Sequence, residues 1–276
     1  MIDLSNYKKN IYQNYGFREC PFYGEDGVIE KIFSQIGVSE LPTCVEFGEL
    51  RVLGTTTRSF RIRYKSKSVY FSSSLDIKSF FLNILDILKV TFIKKSLGYL
   101  KFFFNLPFKE FATVNNIDEI LQQHSVNKKN LDLLTVDIDS YDYYLVKEIL
   151  SRGYRPKLFI VEYNPSFGLE TSCTVPLKAD LESNNKRIYG ASFTALNSLF
   201  KKFEYKICFV TGFCNLFYIR KDFSDQFVSP RIEDEITDTN EKILDFIQKY
   251  CQTGFLPSWF NYPYPSKEEI SKLDQV

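Results

Sequence analysis

Apolar residues recur at helical spacing over residues 26–36, where Val28, Ile29, Ile32, Phe33 and Ile36 form one face and Gly37 supplies a stop. The period then shortens. Residues 43–48 read as a first strand closing on Glu46 and Gly48, and residues 68–71 as a second. A helix is predicted over 77–88, a third strand at Val90-Thr91-Phe92-Ile93, and a short helix over 116–123 with Ile117, Ile120 and Leu121 on one side. Residues 131–137 and 158–163 are apolar runs with the character of buried parallel strands, separated by a helix near 144–151. A helix near 192–202 turns Phe193, Leu196, Leu199 and Phe200 inward. Residues 205–210 and 214–219 read as two strands joined by a Thr211-Gly212 turn. Strands alternating with helices and then a hairpin predict an α/β domain, its sheet mostly parallel with an antiparallel edge.

The polar positions that matter are at strand ends. In an open α/β sheet, ligands bind outside the carboxyl ends of the strands. Asp137 and Asp139 are two apart, as are Glu162 and Asn164, so each pair shares one face of an extended segment. Together they form a candidate catalytic cluster and an oxygen-rich set suited to a hard divalent cation such as Mg²⁺ or Mn²⁺. The competing reading is that Asp139 or Asp142 caps the following helix. Tyr189-Gly190-Ala191-Ser192 opens the 192–202 helix, with Ser192 either its N-cap or, with its neighbours, part of an acceptor pocket. His124 is the only histidine and falls in a polar stretch, so it reads as a solvated surface residue, and Ser-His-Asp or Cys-His chemistry is disfavoured.

Composition narrows the classes. Among 276 residues, 35 basic and 34 acidic side chains leave a net charge of +1, which argues against a phosphate-tracking nucleic-acid binder. The first residues lack the apolar core of a signal peptide, and the six cysteines form no Cys-x-x-Cys pair; both features fit a cytoplasmic protein with reduced thiols. Residues 79–104 are rich in Phe, Leu and Ile but carry Asp86, Lys89, Lys94, Lys95 and Lys101. They are expected to supply a core helix and strand, with peripheral membrane contact as the alternative and no membrane span. Residues 1–222 are assigned to the α/β domain. Residues 223–276 are assigned to an appendage packed on it, with a helix over 240–250 and an aromatic stretch around Trp259.

Glu25-Asp26-Gly27-Val28-Ile29, Cys44-Val45-Glu46-Phe47-Gly48, Asp137-Ile138-Asp139-Ser140-Tyr141-Asp142-Tyr143, Val161-Glu162-Tyr163-Asn164-Pro165 and Tyr189-Gly190-Ala191-Ser192 occur in an order and spacing that resemble FkbM-type, S-adenosylmethionine-dependent methyltransferases, over about residues 22–222. The resemblance implies a Rossmann-like class I methyltransferase sheet of seven strands in the order 3-2-1-4-5-7-6, with the last strand antiparallel. It implies S-adenosylmethionine as cofactor, held by Glu46, Gly48, an acid near Asp76 and Asp137. It also implies O-methylation of a hydroxyl on a sugar or glycan precursor, with Asp137, Asp139, Glu162 and Asn164 positioning the acceptor, with or without a metal.

The chain departs from the family pattern after the first strand. Arg51 stands where an aspartate is usual and Val52 where a glycine is usual. Glycine there lets backbone approach a ligand closely, and β-branched residues tolerate positive φ poorly. Two other readings therefore stand beside the enzyme. One is a methyltransferase-like domain that binds no donor and serves as a scaffold. The other is a domain of the same fold that takes a different nucleotide-containing ligand.

Overall fold

The computed structural model describes residues 25–48, 56–72, 81, 84–85, 88, 108–168, 170–177, 188–210, 215–227 and 265–276. Its frame is one twisted sheet. Strands β1 (Thr43–Phe47), β2 (Lys67–Ser72), β4 (Leu133–Val136), β5 (Leu158–Glu162), β7 (Tyr205–Val210) and β8 (Asn215–Arg220) are joined at one edge by β3, the two-residue segment Phe108–Lys109. The order across the sheet is β3-β2-β1-β4-β5-β8-β7. All neighbours pair in parallel except β8, which runs antiparallel to both β5 and β7. This is a Rossmann-like methyltransferase fold, and the order and the reversed strand agree with the expectation. Val90–Ile93, assigned as the third strand, lies outside the described residues. Phe108–Lys109 is the segment that pairs with β2, in the register Phe71↔Phe108.

Two helical layers cover the sheet because successive strand residues point to opposite faces. On one face, Cys44, Leu133, Leu158, Ile160, Phe217 and Ile219 pack under helix α1 (Glu25–Ile36) and Phe60 of α2 (Arg58–Tyr64). The α1 residues so buried are the five that the spacing selects. The helix ends at Gly37, whose φ of +69° suits glycine and whose N–H reaches the Phe33 carbonyl at 3.0 Å. On the other face, Val45, Phe47, Phe71, Leu134, Val136, Phe159 and Tyr218 meet α3 (Ile117–Gln123), α4 (Asp142–Ser151) and α5 (Phe193–Lys202). Phe200 of α5 stacks on Tyr218 with ring centroids 3.8 Å apart. A bulge at Ile207/Phe209 interrupts the β7–β8 register.

Beyond β8 and the short helix α6 (Lys221–Ser224), the described chain resumes at residue 265 with α7 (Lys267–Ser271) and β9 (Asp274–Gln275). Ser266 and Glu269 form a capping box on α7. Strand β9 pairs antiparallel with β6 (Cys173–Thr174), and Ile270 and Leu273 pack against Phe167, Cys173 and Val175. The 240–250 helix, the Thr211-Gly212 turn and the stretch around Trp259 lie outside the described residues. One expectation is corrected. Phe81, Leu85 and Leu88, assigned to a core helix, are helical but exposed. No helix among the described residues is long and apolar enough to cross a membrane.

Candidate active site

The strand order reverses between β1 and β4, which makes the carboxyl ends of those strands the expected ligand crevice. Gly48 sits there with φ +129°, its N–H on the Phe71 carbonyl at 3.0 Å. A Cβ at this position would lie 1.6 Å from the Asp137 carbonyl oxygen. Glycine is required because the ends of β1 and β4 cross so closely, before any ligand is considered.

Glu46 lies at the carboxyl end of β1. Its carboxylate is buried and already engaged, accepting from Thr56 N at 2.9 Å, Thr57 N at 3.0 Å and Thr57 Oγ1 at 2.6 Å. It anchors the chain where α2 begins. The α2 side of this polar layer carries two buried arginines that the sequence reading missed. The Arg61 guanidinium lies 4.1 Å from the centre of the Tyr70 ring, and burial pushes its pKa down to about 10. The Arg58/Arg61 spacing is that of an ordinary solvated helix face, so the sequence held no signal for their burial. Ser72 ends β2, and its Oγ is buried without a hydrogen-bond partner among the described residues. Asp76 and residues 49–55 lie outside the described residues.

The carboxylates of β4 and β5 do converge. One oxygen each from Asp137, Asp139 and Glu162 lies within 4.8 Å of the other two. Asp139 has φ +56°, a left-handed conformation that aspartate tolerates better than most residues. The turn that carries it is held by Asp142, fully buried, which accepts from Ile138 N at 2.9 Å and Ser140 N at 3.0 Å. Burial raises Asp142 to about 6, opposed by those two N–H groups and reinforced by the charge of Asp139. Asp142 thus fastens the turn before α4, while the helix N-cap is Tyr141 and has no side-chain cap bond. Glu162 is pushed well above the usual carboxylate range, chiefly by burial and then by the charges of Asp137, Asp139 and Asp142.

Asn164 lies near these acids in sequence, and its amide is engaged in the turn after β5. Its Oδ1 accepts from Ser166 N at 2.9 Å and its Nδ2 donates to the Tyr189 carbonyl at 3.0 Å. The amide therefore closes the turn after β5 and ties it to residues 189–192. That segment takes the capping role: Ser192 Oγ accepts from Ala195 N at 3.2 Å and from Cys173 N at 3.0 Å. Asn215, also missed, stands opposite Glu162 in the β5–β8 register, and its Nδ2 reaches Glu25 Oε1 at 3.4 Å. Its only sequence signal is a polar residue opening an apolar strand. His124 is half-buried, its ring centroid 4.2 Å from that of Phe108 and 5.0 Å from that of Phe71. It was expected on the solvated surface; the edge strand that covers it was placed elsewhere.

No family model matches the chain, and no curated protein matches it. Among solved structures, it is similar to a SAM-dependent methyltransferase from Aquifex aeolicus, at 10% identity and a TM-score of 0.36, over 79% of this chain and 99% of the other.

Proposed function

We propose that the protein is an S-adenosylmethionine-dependent O-methyltransferase acting on a hydroxyl of a sugar or glycan precursor. The observation that carries the reading is the gathering of Asp137, Asp139 and Glu162 at the carboxyl ends of β4 and β5, beside the β1/β4 switch point of a sheet with one reversed strand. The acceptor class comes from the motif resemblance.

S-Adenosylmethionine supplies a methyl group on a sulfonium centre. The acceptor oxygen attacks that carbon as the C–S bond breaks, and the hydroxyl proton must leave. Asp137 and Asp139 are placed to orient the hydroxyl and accept its proton, a role that depends on reach and alignment. On the donor side, the Ser72 Oγ, which has no hydrogen-bond partner among the described residues, is the polar group on offer at the end of β2, and the absent Cβ of Gly48 leaves room at the end of β1. Glu46 contributes by holding the start of α2 in place.

One observation favours a second reading, a methyltransferase-like domain without donor that acts as a binding or scaffold protein. Glu46 is spent on Thr56 and Thr57, and the loop beyond it carries Arg51 and Val52. Calorimetry with S-adenosylmethionine and S-adenosylhomocysteine separates the two, because only the enzyme gives saturable binding. Transfer of labelled methyl to a panel of sugar and glycan precursors then tests the acceptor class.

A further inference from the structure

We propose that the margin of the sheet formed by β2 and β3 docks on an anionic lipid bilayer, and that the acceptor is a sugar carried on a lipid. The docking stands by itself; the lipid-carried acceptor rests on the methyl-transfer reading.

The helical residues Phe81, Ile84, Leu85 and Leu88 recur at i, i+3, i+4 and i+7, the spacing of one helix face. Such an apolar stripe ordinarily turns toward the core. Here Phe81 and Leu85 are each 58% exposed, and Leu88 is exposed as well. These residues lie in the connection from β2 to β3, the two strands at this margin. Phe108 of β3 is also exposed, and Phe111, just past the end of that strand, is 61% exposed. Among the described residues, five of the eight large apolar side chains left exposed thus fall on residues 81–111. Exposed apolar groups concentrated in this way mark a contact surface.

The surface borders the crevice. Strand β3 runs parallel to β2 with Lys109 opposite Ser72, so Phe111 stands at the same edge of the sheet as Ser72 and Gly48. The backbone is fastened there. Asn116 Nδ2 donates to the Phe111 carbonyl at 2.9 Å, and Tyr141 Oη donates to the Ala112 carbonyl at 2.8 Å. Tyr141 follows Asp139 by two residues, so this bond ties the apolar rim to the turn that carries a candidate acceptor-binding acid.

Charge selects the occupant. Residues 77–111 hold six lysines against Asp86 and Glu110, a local excess of four positive charges in a chain whose net charge is +1. Lysine is depleted at protein–protein interfaces, and a second copy would bring the same charges against itself. Leu and Phe side chains in a lysine-rich segment are what an interfacial helix offers to anionic headgroups.

The test is co-sedimentation of the full chain, without donor, with phosphatidylcholine vesicles that contain or lack phosphatidylglycerol. Binding to the phosphatidylglycerol vesicles alone is expected, weakening as salt is raised. Leu85→Asp and Phe111→Asp should each weaken it by at least about tenfold, the loss that follows when one Leu or Phe side chain is withdrawn from an apolar phase. Circular dichroism melts establish that the variants fold, and either one alone keeps the test decisive. No binding to phosphatidylglycerol vesicles overturns the proposal, as does equal binding to both vesicles or wild-type binding by the folded variants. A dimer in size-exclusion chromatography that Leu85→Asp dissolves also overturns it, by making this face an interface between copies. Donor calorimetry without vesicles is run in parallel. A chain that binds vesicles but no donor sinks the methyl-transfer reading and leaves the docking, and one that binds donor but no vesicles sinks this proposal alone. Labelled methyl should pass faster to sugars carried on a lipid in the vesicles than to the same sugars free, and the reverse order overturns the acceptor inference.

Discussion

At Gly48 a single methyl group decides whether two strands can meet. Its φ and the 1.6 Å approach to the Asp137 carbonyl leave no room for a Cβ. Gly48→Ala should therefore lower stability by well over about 1 kcal/mol, the scale on which compatible glycine substitutions act. Urea denaturation reads this, and an unchanged midpoint would contradict the geometry. Glu46 makes a second prediction at this scale. Replacing it with Ala removes the acceptor for two N–H groups and one hydroxyl, which should cost roughly 1–3 kcal/mol. A variant of wild-type stability would show that the carboxylate is free for a ligand after all.

At the scale of elements, the helices and central strands were legible because burial follows period. The α1 face and the inward residues of α5 fall at helical spacing, and β1, β4 and β5 are buried along their whole length. The edge strand was not legible. A two-residue pairing beside β2 leaves almost no pattern, and a short apolar run such as 90–93 carries no mark separating strand from helix. The site was legible in part for a related reason. Strand ends identify which residues reach the carboxyl edge, but not which are consumed by the turns found there. Asp139 and Asn164 look equivalent in sequence, each two residues beyond an acid. Asn164 is bound into a turn, whereas Asp139 is an exposed residue whose carboxyl faces the other two acids and is raised by partial burial. Asn164→Ala should accordingly destabilise the fold by roughly 1–3 kcal/mol. Asp139→Asn should not destabilise the fold, because it removes one of three crowded carboxylates and costs no hydrogen bond that fastens a turn. Equal losses in a denaturation series would erase that distinction.

For the whole molecule, the thiols of Cys44 and Cys208 lie in the core beneath α1 and that of Cys173 in the small cluster under α7, all three buried and outside any disulfide. Burial raises all three, Cys173 to about 11, so thiolate is scarce at pH 8 in the folded protein. Iodoacetamide followed by peptide mass mapping should find them unmodified until urea is added; rapid labelling of Cys208 in the native state would contradict the packing. The central claim is that the crevice beside the β1/β4 switch point takes S-adenosylmethionine although Arg51 and Val52 replace the usual loop residues. Titration calorimetry of the full chain with S-adenosylmethionine tests it most directly. The account predicts saturable binding at one site per chain, with S-adenosylhomocysteine competing for it. No heat of binding up to millimolar donor would contradict it and leave the scaffold reading in its place.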